Sequence, residues 1–406
     1  MHLRVKGHSD NGLNKLYNED TYLIDKSFSL FILCNGVGDQ TKSSQISKKT
    51  AHFFLKHVKE KKRVFITFNE DPSLANREAV KHCLDEIIQT LNKTLWKANQ
   101  NNPSKKTFGS TLLFSFFIGQ DLFFGNIGNG CFFLLRNIEA FQLNEEHSRF
   151  KDLIKKNKIP VEKRDNHPSL FEPTFFLGAH RFVEPDLFHM EAINQDFFLM
   201  AADGLSAYLN PEFLSDTFEK EISFEEMPQY LIKKAHQEGA KDNVTFVAIQ
   251  TGKPGTLKKK KSLADQETNL PTQKIIALRK VPLFSNFNYR ELLNILEIID
   301  LKKFSTGDII LHEGVLGSEM FVILQGQVEV SRTGKKLTTL GKGQWFGEMA
   351  LIDDEPRSAT IKALTPSAFI VLERTSLFNI LEQHSQMGMK MFLSMLKNLN
   401  QRLRTR

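Results

Sequence analysis

The chain has 406 residues, 41% of them apolar and 25% charged, which excludes a disordered polymer and is too long for one ordinary domain. Its net charge of +7 is scattered, with one dense lysine run at 258–261, so no nucleic-acid partner is expected. Three cysteines inside apolar runs, an N-terminus without an apolar leader and no uncharged run of bilayer length predict free thiols, no membrane association and a cytoplasmic protein.

The 35 phenylalanines predict many buried strands. In chain order, residues 28–34 read as a buried strand. Two amphipathic helices follow at 44–61 and 77–97. The first carries its stripe on Ile46, Thr50, Phe53, Phe54 and Val58; the second on Val80, Leu84, Ile87, Ile88, Leu91 and Leu95. Residues 108–118, 122–127 and 131–135 read as successive strands of an antiparallel meander. The turn Gly128-Asn129-Gly130 has hairpin chemistry, because Asn and Gly accept positive φ. Further strands are expected at 197–202 and 244–250, and strands mixed with amphipathic helices predict packed layers. Residues 252–272 hold lysines, glycines and polar residues with little to bury, and read as a linker. Beyond it come a helix at 292–299 and short strands punctuated by Gly307, Gly314, Gly317, Gly326, Gly334, Gly341 and Gly343, the pattern of a small jelly-roll-like barrel. A last helix aligns Phe392, Met395, Leu396, Leu399 and Leu403 on one face. The expected division is 1–251, a linker at 252–272, and 273–406.

The sharpest motif lies in the last part. Phe346-Gly347-Glu348-Met349-Ala350-Leu351 opens a short helix, where free amides attract an anion. Gly347 admits close backbone approach, Glu348 can accept from a sugar hydroxyl, and Arg357, beside Ser358, can grip a phosphate through two parallel bonds. The run through Pro356-Arg357-Ser358-Ala359-Thr360 closely resembles the cyclic-nucleotide-binding domains of cyclic-AMP-dependent kinase regulatory subunits and bacterial catabolite-activator proteins. That resemblance implies ribose contact by Glu348, phosphate contact by Arg357 and Ser358, and backbone contacts from Gly347 and Ala350. It implies cyclic AMP ahead of cyclic GMP, although a hydroxyl at Ser358 can also meet guanine. The C-terminal helix is then expected to move as a lid or to pair with a second copy in a homodimer.

The first part carries an ordered set of weaker motifs. They are the run from Ser9 to Asp20 ending Asn18-Glu19-Asp20, then Phe108-Gly109-Ser110-Thr111, Gly125-Asn126-Ile127-Gly128-Asn129, Ala201-Ala202-Asp203-Gly204 and Lys241-Asp242-Asn243. Carboxylates at strand ends beside Gly or Asn suit a hard cation with oxygen ligands from several segments. The set resembles the metal-dependent protein phosphatases of type 2C. It implies an α+β fold, a four-layer α/β/β/α sandwich, and hydrolysis of phosphoserine and phosphothreonine by water held between two Mg²⁺ or Mn²⁺ ions. Carried over, Glu19, Asp203 and Asp242 ligate metal, Gly36 offers a carbonyl, Asp20 orients water, and Lys15 takes the place of a phosphate-binding arginine.

Three departures matter. Asn35 stands where the family has its bridging aspartate, Asn129 replaces a further carboxylate, and Lys15 is a point charge instead of a fork. Two outcomes are therefore expected. One is a pseudophosphatase that binds a phosphoprotein or another partner under nucleotide control. The other is a working phosphatase gated by cyclic AMP, in which one ion suffices or Asp39 compensates. The pairing of domains points to a bacterial source.

Overall fold

A computed structural model describes residues 1–38, 40–103, 106–136, 139–149, 153, 172–206, 208–220, 222–240, 242–252 and 270–404. Asp39, Lys241 and most of the expected linker lie outside them. The chain divides into two compact units, Met1–Lys259 and Lys260–Arg406.

The first unit stacks two antiparallel sheets. One orders β1 (Leu3–Asp10), β11 (Val244–Thr251), β10 (Phe197–Ala201), β7 (Cys131–Arg136) and β8 (Glu139–Gln142) as β1-β11-β10-β7-β8. The other runs β2 (Asp20–Asp25), β3 (Leu30–Val37), β5 (Leu112–Ile118), β6 (Asp121–Ile127) and β9 (Asp186–Glu191), with β4 (Gly109–Ser110) beside β3.

Alternation along each strand explains the layering. Leu30, Ile32 and Cys34 of β3 join a core with α1 (Gln40–Glu60), α2 (Lys62–Glu70) and α3 (Leu74–Gln100). The opposite parity meets the other sheet. Phe31 packs on Phe117 with ring centroids 6.1 Å apart, Phe117 on Phe198 at 5.7 Å, and Phe124 on Phe132 at 4.8 Å. The largest fully buried side chains are all phenylalanines, and burial of each contributes about 1.5–3 kcal/mol. On the far side, Phe133, Phe197 and Leu199 pack against Leu214 and Phe218 of helix Pro211–Glu219 and Leu231 of helix Met227–Gln237. The result is the four-layer α/β/β/α sandwich.

The expected hairpin is corrected. β6 and β7 belong to different sheets, so Gly128-Asn129-Gly130 crosses between layers instead of turning one strand back on its neighbour. Burial on both faces of both strands removes the alternation that would have assigned partners. Gly128, at φ +121°, is required for another reason: a Cβ there would lie 2.5 Å from the Thr111 side chain.

The second unit holds two four-stranded antiparallel sheets of jelly-roll type. They are β12 (Ile299–Phe304), β19 (Ser367–Glu373), β14 (Glu319–Gln325) and β17 (Trp345–Phe346), and β13 (Ile309–Leu311), β18 (Thr360–Ala363), β15 (Gln327–Arg332) and β16 (Lys335–Gly341). Phe321, Phe346 and Phe369 form the centre of its core. Helix Leu270–Lys280 begins inside the stretch expected as linker. Helix Tyr289–Glu297 opens on a capping box of Asn288 and Glu291 and stops before β12 takes Ile299 into a strand. In the last helix, Ser385–Arg404, Met387 and Met391 are buried while Phe392 and Leu396 are exposed. The side chains of Met395, Leu399 and Leu403 lie outside the described set. Among the described residues no helix is long and apolar enough to cross a membrane.

Candidate functional site

At one end of the sandwich, strand ends bring distant residues together. Asp20 opens β2 opposite Asn35 on β3. Asp203 follows β10, and Asp242 precedes β11. Gly36 is packed so tightly that a Cβ would meet the Ser43 carbonyl oxygen at 2.1 Å, and its amide donates to the Glu19 carbonyl at 3.0 Å. The loop before β2 is tied to the 242–243 segment. Asn243 Oδ1 accepts from the Glu19 amide at 2.9 Å, and its Nδ2 donates to the carbonyls of Asn11 and Tyr17 at 3.1 and 3.2 Å.

Each oxygen of Asp203 receives an amide N–H. Asn35 Nδ2 donates to Oδ1 at 2.9 Å and Asn129 Nδ2 donates to Oδ2 at 3.0 Å, with the Gly204 amide also on Oδ1 at 2.9 Å. Burial, then the neighbouring Asp242 charge, pushes the Asp203 carboxyl up to about 7, although Asn129 and Gly204 favour its charged form. Asp20 is 5% exposed, and among the described residues neither of its carboxylate oxygens has a hydrogen-bond partner of good geometry. Burial and then the Asp203 charge hold it well above the usual carboxylate range. The nearby Thr245 hydroxyl, engaged with Ser9 at 2.6 Å, offsets this only in part.

Lys15 reaches into the same place. Its Nζ lies 2.5 Å from Glu19 Oε2 and 3.2 Å from Asp242 Oδ1. Burial alone would lower its pKa, but the two carboxylates hold it above the usual lysine value. Every described residue of the expected set, Lys15, Glu19, Asp20, Asn35, Gly36, Asp203 and Asp242, therefore converges here. The contact sequence reading missed is Asn129 on Asp203, whose signal was the amide in the Gly128-Asn129-Gly130 turn. Among the described residues, no three or more His, Cys, Asp or Glu are grouped so as to hold a metal ion. A donor set in which amide N–H groups face Asp203 and an ammonium faces Glu19 and Asp242 does not suit a pair of divalent cations.

In the second unit, Gly347 at φ +78° leads into a 3₁₀ turn, Glu348–Leu351. Ala350 is buried and its amide donates to the Gly347 carbonyl at 3.2 Å. Arg357 is 8% exposed; its Nη1 donates to the Gly347 carbonyl at 3.3 Å, and its Nη2 is buried without a partner among the described residues. Burial lowers its pKa, and Glu319 acts against that. A buried guanidinium with an open donor, beside a left-handed glycine, fits an anionic ligand such as a cyclic phosphodiester. Glu348 is half-buried on the same turn, and Ser358 is exposed. Gly317 was seen in the sequence only as a turn. A Cβ there would stand 2.7 Å from Arg357 Nη2, so it also makes room for the guanidinium.

A layered phosphatase-type sandwich and a jelly-roll unit with an anion pocket define the class: a phosphatase-like domain joined to a nucleotide-binding module. The chain belongs to the protein phosphatase 2C family, whose family model matches residues 7–244. The cyclic nucleotide-binding domain matches residues 301–384. A serine/threonine phosphatase stp of Listeria welshimeri is 24% identical over 247 residues, covering 61% of this chain and 92% of that protein. A cGMP-dependent protein kinase of Plasmodium berghei is 37% identical over 84 residues, covering 21% of this chain and 10% of the kinase. The solved structure of the S. agalactiae serine/threonine phosphatase shares the fold, with a TM-score of 0.51 at 21% identity, covering 62% of this chain and all of that one.

Proposed function

We propose that this chain is a cyclic-nucleotide-responsive signalling protein whose phosphatase-like domain, about residues 1–251, has given up two-metal hydrolysis and binds a phosphoprotein or another protein partner. The observation that carries this is the capping of both Asp203 oxygens by the amides of Asn35 and Asn129. An amide nitrogen that donates a hydrogen bond offers no lone pair to a cation. Glu19, Asp203, Asp242 and Gly36 remain the metal-ligand positions by resemblance, and Asp20 the water-orienting one. Phosphate contact by Lys15 would require it to leave Glu19 and Asp242. The regulatory ligand is a cyclic nucleotide held by Gly347, Glu348, Arg357 and Ser358 of the domain at about 273–406. We take it to be cyclic AMP, with the exposed Ser358 hydroxyl giving cyclic GMP a competing contact. The exposed Phe392, Leu393 and Leu396 face supports self-association, and three buried free cysteines support a cytoplasmic setting.

A second reading has its own support. Asp20, buried with both oxygens lacking a well-formed partner among the described residues, is the kind of acceptor that a single bound Mg²⁺ or Mn²⁺ and its water would satisfy, as in an active phosphatase gated by cyclic AMP. One assay separates the two. Phosphopeptide hydrolysis with Mn²⁺, with and without cyclic AMP or cyclic GMP, is expected to stay at the background set by Asp203→Ala. The triple change Asn35→Asp, Asn129→Asp and Lys15→Arg, which restores both carboxylates and the family's arginine, is expected to raise turnover at least about tenfold. Robust turnover by the natural chain overturns the pseudophosphatase reading.

A further inference from the structure

The four carboxylates that converge at the sandwich end, Glu19, Asp20, Asp203 and Asp242, share one buried region and repel one another. Such a cluster persists in a fold only if its charge is met from somewhere. The chain meets it itself. Lys15 is 24% exposed, while its partners Glu19 and Asp242 are 8% and 16% exposed, so the ammonium works where water screens it weakly. Its position is built in by the main chain. The Leu13 amide donates to the Ala240 carbonyl at 3.1 Å. Gly12, at φ +70°, lies so close to the Asp242 carbonyl that a Cβ would come within 2.0 Å. The Asn243 side chain binds the loop on both sides of Lys15, at Asn11 and at Tyr17. Glu19, four residues on, is fixed through its amide by the same Asn243. The main chain on both sides of Lys15 is therefore fixed, which sets where the lysine side chain starts.

We propose that Lys15 is a tethered counter-ion, a positioning residue that neutralises Glu19 and Asp242 from within the chain and thereby excludes divalent cations from the cluster. The inference rests on the reading of the domain as a non-hydrolytic phosphatase fold, and it supplies what the two asparagines do not. The amides at 35 and 129 remove negative charge, but they leave Glu19 and Asp242 in place. Lys15 fills the role a cation would otherwise take between those two.

The test is Mn²⁺ binding to the full chain, read by calorimetry and by the loss of the free Mn²⁺ paramagnetic signal. The natural chain is expected to bind no Mn²⁺ below millimolar concentration and to unfold at the same temperature in Mn²⁺ and in EDTA. Lys15→Met is expected to tighten Mn²⁺ binding at least about tenfold and to be stabilised by the ion. Lys15→Gln serves the same purpose if the Met variant does not fold. Micromolar Mn²⁺ binding by the natural chain overturns the proposal, and so does a folded Lys15→Met or Lys15→Gln that gains none. Phosphopeptide turnover is recorded on the same samples. Mn²⁺ binding without turnover removes only the tethered counter-ion, whereas turnover removes the functional reading beneath it.

Discussion

Arg357 is gripped by its main chain and left open at its tip. Its amide donates to the Val315 carbonyl at 2.9 Å, and its carbonyl accepts from the Gly314 amide at 2.8 Å. The guanidinium then turns past Gly317 toward Gly347, with Nη2 buried and unpartnered among the described residues. A methyl group at 317 would press on the far end of this flexible side chain and, among the described residues, on nothing else within 3 Å. The guanidinium can swing aside at small cost to the fold, but a displaced fork no longer meets a phosphate with two parallel bonds. Gly317→Ala is therefore expected to weaken cyclic-nucleotide affinity about tenfold, roughly 1.4 kcal/mol, while the thermal stability without ligand changes little. Calorimetric titration with each nucleotide checks it. An unchanged affinity would mean that Arg357 is not the phosphate contact.

Among the elements, the β2–β3 hairpin is held to α1 by charge as well as by packing. Asp25, at the end of β2, pairs with Lys59 of α1 and accepts from the Ser27 hydroxyl at 2.6 Å and the Phe28 amide at 2.9 Å. Burial opposes ionisation, but these partners together hold the carboxyl below the usual aspartate range. A folded-state pKa below the unfolded one contributes stability that is present above the unfolded value. That stability is lost as pH falls through the folded value, so the effect belongs below about pH 4. Lys59 is 44% exposed, so water screens the pair and it contributes less than about 1 kcal/mol. Asp25→Asn should lower the unfolding temperature slightly at pH 7 and have no further effect in strong acid, as melts across pH 3–7 would record. The elements also show what the sequence could and could not reveal. α1 and α3 were legible because one stripe of each is buried; α3 was underestimated at its start, where Ser73 caps a first turn that lies ahead of the buried stripe beginning at Val80. The strands were legible as apolar runs, but their partners were not. Phe132, Phe133, Leu134 and Leu135 are all buried, and no parity distinguishes the helix-facing side from the sheet-facing one. β1 and β9 escaped notice because they are mostly half-buried and carry charge. The carboxylates were legible because they recur at strand ends beside Gly or Asn, while the roles of Lys15, Asn35 and Gly36 followed from the family resemblance. The meeting of Asn129 with Asp203 depends on the crossing between sheets, which local sequence does not encode.

For the whole molecule, regulation by a cyclic nucleotide demands that the ligand change something beyond its own pocket. A ligand stabilises the unit that binds it by RT ln(1 + [L]/Kd), about 2.7 kcal/mol at a hundredfold excess over Kd. If the two units, Met1–Lys259 and Lys260–Arg406, respond as one, part of that stabilisation must reach the first. Linkage then requires the converse: a partner whose affinity for the phosphatase-like domain is changed by the nucleotide must change nucleotide affinity by that same factor. The expected outcome in scanning calorimetry of the full chain is two transitions without ligand, both moved by saturating cyclic AMP. Arg357→Ala, which removes the guanidinium from its buried pocket, should abolish both shifts together. A shift confined to one transition would leave a nucleotide-binding module beside a phosphatase fold with no regulation between them. Titrating cyclic AMP with and without a phosphoprotein partner gives the factor by which that partner changes nucleotide affinity, and titrating the partner with and without cyclic AMP gives the converse factor. Agreement between the two values is what a single coupled equilibrium requires.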